Sequence, residues 1–396
     1  MAMKDGKLEK LYERLCLTSV FIGVTEKPLY KAFSAYINAG DGYEKRKAYA
    51  SFVARVYQNG GNLFACVQKE IFEDENAYIK AVAHKKTTPA CVEQSVKREL
   101  SAFSAFASLT VKDFAEDLGI LEEELPSFDS FDDDLYERYQ TRLRGIDKYG
   151  YGIFSSQGMF RLSDDKQIEP IVSADKIGMD NFIGYEDERA KVVANTKAFV
   201  EGRPAANTLL CGDAGTGKSS TVKAVANAFF DKGVRLIELR KDQLALLPLV
   251  MGKISGNPLK FIIFIDDLSF NQNDDNFSML KAALEGSASA KAENAVIYAT
   301  SNRRHIIKES FADREGDDVH INDTLQETLS LSERFGLVVS FSKPSKALYL
   351  EIVKQLAEKY GVKTDETQLF IQAEAFALKK GSRSARCAEQ FIDSLL

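Results

Sequence analysis

Residues 207–220 read NTLLCGDAGTGKSS. A short apolar run ends in a glycine-rich loop, and the loop runs into TVKAVANAFFDKG (221–233), a good helix former. Gly212, Asp213, Ala214, Gly215, Thr216, Gly217, Lys218 and Ser219 match the pattern GxxxxGK[ST] in full. The residue types follow from what a triphosphate needs. Several backbone N–H groups must come close to the phosphates, so the loop requires positions without side chains and with access to positive φ. Lys218 offers a point charge to the β- and γ-phosphates, and Ser219 offers a hydroxyl to Mg²⁺. The helix that starts here, with Ser220 in its first turn, points its positive dipole end at the anion. Strand, loop and helix stand in the order this chemistry requires.

Outward from that loop, four more apolar runs alternate with helical patterns: VRLIEL (234–239), KFIIFID (260–266), AVIYATS (295–301) and GLVVSFS (336–342). Continuous apolar strands separated by helices predict a parallel sheet covered on both faces. Chemistry-bearing residues stand at the ends of these runs. Asp266 closes KFIIFID and Asp267 follows it, placing one carboxylate to hold Mg²⁺ and the next to orient or deprotonate an attacking water. Asn302 follows AVIYATS, where a polar side chain reaches the γ-phosphate if that strand neighbours the other two. Arg334, in SLSERFG (330–336), precedes the last run and is a candidate for reaching a neighbouring subunit's ATP. GSRSAR (381–386) opens the last helix, so that Arg386 or Arg383 can swing onto the phosphates from a lid. Of the two, Arg386 sits better, because its register leads into the apolar face of Ala388, Phe391 and Ile392. His305 reads as a surface residue.

The remainder has a different texture. Residues 1–121 read as amphipathic helices: Leu8, Leu11 and Leu15 share one face, as do Phe52, Val53, Val56 and Tyr57, then Leu63, Val67 and Ile71, with further faces from Phe103 to Leu118. Residues 122–149 open with EEELPSFDSFDDDLYE, eight carboxylates and no base in 122–137, and read as a solvated linker. Residues 150–176 read as a short β-hairpin connector, 177–343 as the nucleotide-binding core and 344–396 as a helical lid. The 396-residue chain carries a net charge of −6 with pI about 5.5, which gives it no overall electrostatic footprint for nucleic acid, although a local basic patch stays open. Five scattered cysteines without a CxxC pair, and three histidines without ligand spacing, argue against a disulfide framework and a Cys/His metal site. A polar N-terminus and the lack of a long apolar run predict a soluble, cytoplasmic protein without a membrane segment.

The segments NTLLCGDAGTGKSS, FIIFIDDLSF (261–270), YATSNRRH (298–305), SLSERFGLVVSF (330–341) and GSRSARCAEQFID (381–393) occur in the order of the AAA+ superfamily of P-loop ATPases and resemble it. Their wording resembles a bacterial family of AAA+ ATP-binding proteins described as a domain of unknown function. The resemblance spans residues from about 177 to 396. It implies a P-loop NTPase core with a five-stranded parallel sheet in the order 5-1-4-3-2, a C-terminal helical lid, and ATP with Mg²⁺ between them. It assigns phosphate binding to Gly212 through Ser219, Mg²⁺ to Ser219 and Asp266, sensor 1 to Asn302, the arginine finger to Arg334, and sensor 2 to Arg386 or Arg383. Asn181-Phe182-Ile183-Gly184-Tyr185 resembles the segment that packs on adenine, with Ile183 and Gly184 nearest the base. An arginine finger acting in trans implies a homo-oligomer.

These features together point to an assembling ATPase that remodels or loads an unidentified protein partner, recruited through the N-terminal region. Asp267 is one methylene shorter than the Glu found in many AAA+ proteins, which keeps open a slow or non-hydrolysing ATP switch. A P-loop small-molecule kinase is a further alternative. The polar stretch after Asp267, with Phe270 and Phe277, carries no pore-loop signature.

Overall fold

Among the residues that the computed structural model describes (6–40, 42–172, 177–268, 279–281, 284, 292–302 and 334–396), one sheet runs through the second half of the chain. Its strands are β1 (Met159–Leu162), β2 (Ile168–Pro170), β3 (Thr208–Gly212), β4 (Val234–Leu239), β5 (Lys260–Ile265), β6 (Ala295–Ser301) and β7 (Leu337–Phe341). Their order is β2-β1-β4-β5-β6-β3-β7, and every pairing is parallel except β1 with β2. The five apolar runs occupy the consecutive places from β4 to β7. The sheet is nevertheless seven-stranded, not five-stranded as expected, because the hairpin is part of it. Met159 lies opposite Leu236 and Phe160 opposite Ile237. Met159, Phe160 and Leu162 are buried, so the hairpin contributes core residues while covering an edge of β4 that would otherwise expose unpaired N–H and C=O groups.

This order sets β3 between β6 and β7, with β5 beside β6. Parallel strands bring their C-terminal ends to one rim, so the loop after β3, the carboxylates after β5 and the polar end of β6 converge there. Leu210, Val222, Phe264, Tyr298 and Phe341 share the core on one face. After β7 come three helices, Lys346–Tyr360, Glu366–Lys380 and Ala385–Asp393, each begun by a side-chain cap from Ser345, Asp365 or Ser384. They pack on one another through Tyr349, Val353, Ala373, Ala388 and Ile392.

The chain divides into two compact units, Met1–Ser156 and Gln157–Leu396. The first is helical, and its core is rich in rings: Phe33 stacks obliquely on Phe106 at 4.7 Å, and Phe52 on Phe114 at 5.3 Å. Tyr57, expected on the inner face, is instead 53% exposed, its hydroxyl donating to Ser127 O. Residues 122–149 are not a linker but belong to this unit. Phe128 packs against Phe52 and Phe114, Tyr49 donates to Pro126 O, and Leu63 N donates to Asp129 O. Asp134 then caps the helix Leu135–Arg144, whose Leu135, Tyr139 and Leu143 are buried at four-residue spacing. A minority of apolar side chains at helical spacing anchors the segment while its carboxylates point to solvent. Net charge per residue misses this, because burial depends on which positions are apolar and not on how many are charged.

A buried carboxylate organises the same unit. Glu99, 2% exposed, accepts hydrogen bonds from the backbone N–H of Ser19, Val20 and Phe21 and from the Ser19 hydroxyl. Glu99→Ala is expected to leave those donors unsatisfied and to cost about 3 kcal/mol. The readouts are a lower urea midpoint for the helical unit and faster hydrogen exchange at residues 19–21. Unchanged exchange there would contradict the expectation.

Candidate functional site

The loop after β3 is shaped by what surrounds it. Gly212 has φ 139°, and a Cβ on it would fall 1.9 Å from Phe341 O of β7. No side chain fits at that position. Asp213 follows, with its N–H donating to Phe341 O at 3.3 Å and its carboxylate accepting from Lys343 N at 3.0 Å. Gly215 and Gly217 also take positive φ, and Gly217 starts the helix Lys218–Ala228. The loop therefore wraps back over its own helix terminus, the arrangement in which backbone N–H groups gather for an anion.

Lys218 is 6% exposed. Its ammonium donates to Gly212 O (2.9 Å), Asp213 O (2.7 Å) and Asn302 Oδ1 (3.1 Å). Burial holds its pKa below the usual lysine value, while the Asp213, Asp266 and Asp267 carboxylates pull it back up. Ser219 Oγ donates to Asp266 Oδ1 at 2.6 Å. The Thr300 hydroxyl donates to that same oxygen and accepts from Asp267 N at 3.0 Å. Asn302 Nδ2 donates to Asp267 Oδ1 at 2.7 Å. Residues from three strand ends thus form one connected network. Asp267 sits in the left-handed region at φ 51°, a costly conformation for a non-glycine residue.

Two cavities of about 220 and 100 Å³ share Gly215, Gly217, Ser220 and Arg386 in their linings. The larger is polar, faced by Lys218, Ser219, Asp266, Asp267, Thr300 and Asn302. The smaller is less polar, faced by Phe182, Ile183 and Tyr185 on one side and by Ile352 and Leu356 of the first lid helix on the other, with Asn181, Thr216 and Glu389 also in its wall. A polar compartment joined to an apolar slot suits a phosphorylated nucleotide, the phosphates beside Lys218 and the ring between 181–185 and the lid. Among the described residues no group of three or more His, Cys, Asp or Glu gathers as a metal site. Ser219 and Asp266 fit Mg²⁺ all the same, since that ion is usually held by one or two protein groups together with phosphates.

Several expected residues lie elsewhere. Gly184 is absent from both linings. Its φ of 73° turns the chain so that a Cβ would meet Leu348 Cδ1 at 2.8 Å, making it a close-approach point against the lid. Gly212 and Asp213 pack on the end of β7, as described above, and line neither cavity. Ala214 and Thr216 do line them, the Thr216 hydroxyl donating to Asp213 O. Arg383 forks onto Glu374 at 2.9 and 2.7 Å within the lid and lines neither cavity. Arg386 lines both, and its backbone N–H donates to Gly215 O at 3.3 Å. Arg334 stands three residues before β7, is half-buried and lines neither cavity. Residues 330–333, Arg303, Arg304, His305, Phe270 and Phe277 lie outside the described residues. Thr300 falls within YATSNRRH, where residue type alone does not single it out. Ile352 and Leu356 show helical spacing, which does not say which of the lid's apolar residues face a slot.

The family described as "Protein of unknown function (DUF815)" matches residues 156–396. No curated protein matches the chain. Among solved structures, the RuvB Holliday junction branch migration motor of Thermotoga maritima is 14% identical over 55% of this chain and 72% of that chain, with a TM-score of 0.33. A single-residue variant of that RuvB is 15% identical over the same shares, with a TM-score of 0.34. Among the described residues no helix is long and apolar enough to cross a membrane.

The lid separates the two candidate arginines. Arg386→Ala is expected to weaken binding of a fluorescent ATP analogue about 10- to 150-fold, the value of a charged hydrogen bond. Arg383→Ala, which breaks a part-exposed pair, should change it less than about fivefold. Equal effects in a titration would refute the assignment of Arg386 to the cavity.

Proposed function

The chain belongs to this family of unknown function, DUF815, and on the geometry of its site we propose that it is an AAA+ P-loop protein that binds and hydrolyses MgATP. The reading is carried by the network Lys218–Asn302–Asp267 together with Ser219–Asp266, which faces an open polar cavity. Lys218 would leave its loop carbonyls for the β- and γ-phosphates, supported by the N–H groups of Gly215 to Ser219. Ser219 and Asp266 would hold Mg²⁺, which when bound neutralises charge on the bridged phosphates. Asp267 would orient the attacking water, and Asn302 would sense the γ-phosphate from the neighbouring strand end. Arg386 would close onto the phosphates with the lid, and Ile183 would pack on the base.

Arg334 would complete the site of an adjacent copy in a homo-oligomer, coupling assembly to turnover. The helical unit would recruit the unidentified protein partner that this cytoplasmic assembly remodels or loads. A second reading, a switch or adaptor that hydrolyses very slowly, is favoured by one observation: the short Asp267 side chain is held by Asn302 at 2.7 Å.

Lys218→Ala is expected to weaken MgATP binding by roughly 10- to 150-fold. Asp267→Asn should leave affinity within a few fold and lower phosphate release. Calorimetry and steady-state phosphate assays check the pair. A wild type without turnover at any protein concentration selects the switch.

Arg334→Ala should leave binding by isolated subunits intact and remove the stimulation that accompanies self-association, by up to about 10³–10⁵ in rate. Mixing it with Lys218→Ala subunits, which keep Arg334, should restore part of the activity. No rescue on mixing excludes action in trans.

A further inference from the structure

One side chain in the apolar slot is left over by folding. Arg189 stands in the first turn of the helix Glu186–Val200 and is 6% exposed. Its guanidinium lies over the Phe182 ring, 5.1 Å from the centroid. Among the described residues its side chain has one hydrogen bond, from an Nη to Glu186 Oε1, 3.5 Å long, and that carboxylate is itself 76% exposed. That bond is long and its partner solvated, and no Arg189 nitrogen is among the buried unpaired atoms of the described residues, so the donors the fold does not use open toward the slot. Burial is the largest influence on Arg189 and holds its pKa below the ordinary arginine value, against the nearby Glu186 and Glu188. A guanidinium carries five donors in a fixed plane, and most of these are not used by the fold.

Both Arg189 and Phe182 line the slot, whose other walls include Ile183, Ile352 and Leu356. The phosphate end lies at Lys218, in the adjoining cavity. Asn181, Ser220, Arg386 and Glu389 also border the slot, so its lining is mixed: a ligand part that fits it has a flat apolar face for Phe182 and Ile352, and acceptor atoms on the edge toward Arg189. A purine has that form, with ring nitrogens as in-plane acceptors. We propose that Arg189 is the base-reading residue of the nucleotide site, donating to a ring-nitrogen acceptor of the purine while Phe182 beneath the guanidinium fixes its plane. The proposal rests on the nucleotide reading above and adds to it the group that selects the base.

The test compares ATP with inorganic tripolyphosphate, which has no base, by calorimetry on wild type, Arg189→Met and Arg189→Lys. Arg189→Met is expected to weaken ATP roughly 10-fold or more, the scale of a charged hydrogen bond. Arg189→Lys, with its charge but without the fork, should recover part of this. Tripolyphosphate affinity should stay within about twofold in all three, which also reports that the phosphate end is folded. Among 1-deaza-, 3-deaza- and 7-deaza-ATP, one should lose about the same factor on wild type and nothing on Arg189→Met. Equal losses for ATP and tripolyphosphate would make Arg189 a structural residue. No loss for either, or no deaza analogue coupled to Arg189, would also overturn the proposal. A wild type that binds neither ATP nor tripolyphosphate overturns the nucleotide reading, and the base-reading role goes with it.

Discussion

Everything at the site depends on how closely β3 can approach β7 at their shared end. The Gly212 peptide lies against Phe341 O with no room for a Cβ. Asp213 is bonded to the same segment through both its N–H and its carboxylate. Tyr185 adds a hydrogen bond from its hydroxyl to Ser342 O, and its ring packs on Phe341 at 5.4 Å. The loop is thus held from outside, by the strand that leads into the lid, as well as by its own glycines. A larger residue at 212 would move the loop, the end of β7 and the entry to the lid together, because the three share one contact.

The electrostatics follow from that placement. Three carboxylates and one ammonium gather at the rim, and Lys218 is buried among them. Its three donors are spent on two loop carbonyls and Asn302, so the charge is solvated by fixed dipoles and is not left bare. Thr300 and Asn302, two residues apart at the end of β6, divide the two carboxylates: the Thr300 hydroxyl donates to that of Asp266 and the Asn302 amide to that of Asp267. The two adjacent carboxylates thus have separate side-chain partners, Asp266 beside Ser219 and Asp267 beside Asn302, and both border the polar cavity.

The lid is joined to this network at two points of different character. Arg386 N meets Gly215 O, and the missing side chain at Gly215 lets Ser384 and Arg386 come within about van der Waals distance. Leu348 meets the turn at Gly184. Between these contacts lies the apolar slot, so lid position and slot width are set by the same glycines. Arg383 serves the lid itself through Glu374, although in sequence it is only three residues from Arg386.

The sequence by itself determined the α/β class, the five apolar strands, the glycine-rich loop after β3, and the carboxylate and amide ends of β5 and β6. These are local signals: a strand that is buried on both faces must be continuously apolar, and a loop that wraps an anion must be glycine-rich, whatever the rest of the chain does. Only the tertiary structure decided which residues use those positions. The hairpin at Met159–Pro170 joins the sheet because β4 would otherwise be an open edge. The acidic segment folds into the helical unit because Phe128, Leu135 and Tyr139 find a core to enter. Arg386 and not Arg383 faces the cavities because Glu374, one helix away, claims the other. Arg189 borders the slot because a turn at Tyr185 aims its helix there. Partners distant in sequence made each of these choices, and residue type and spacing along one chain do not encode distance between segments.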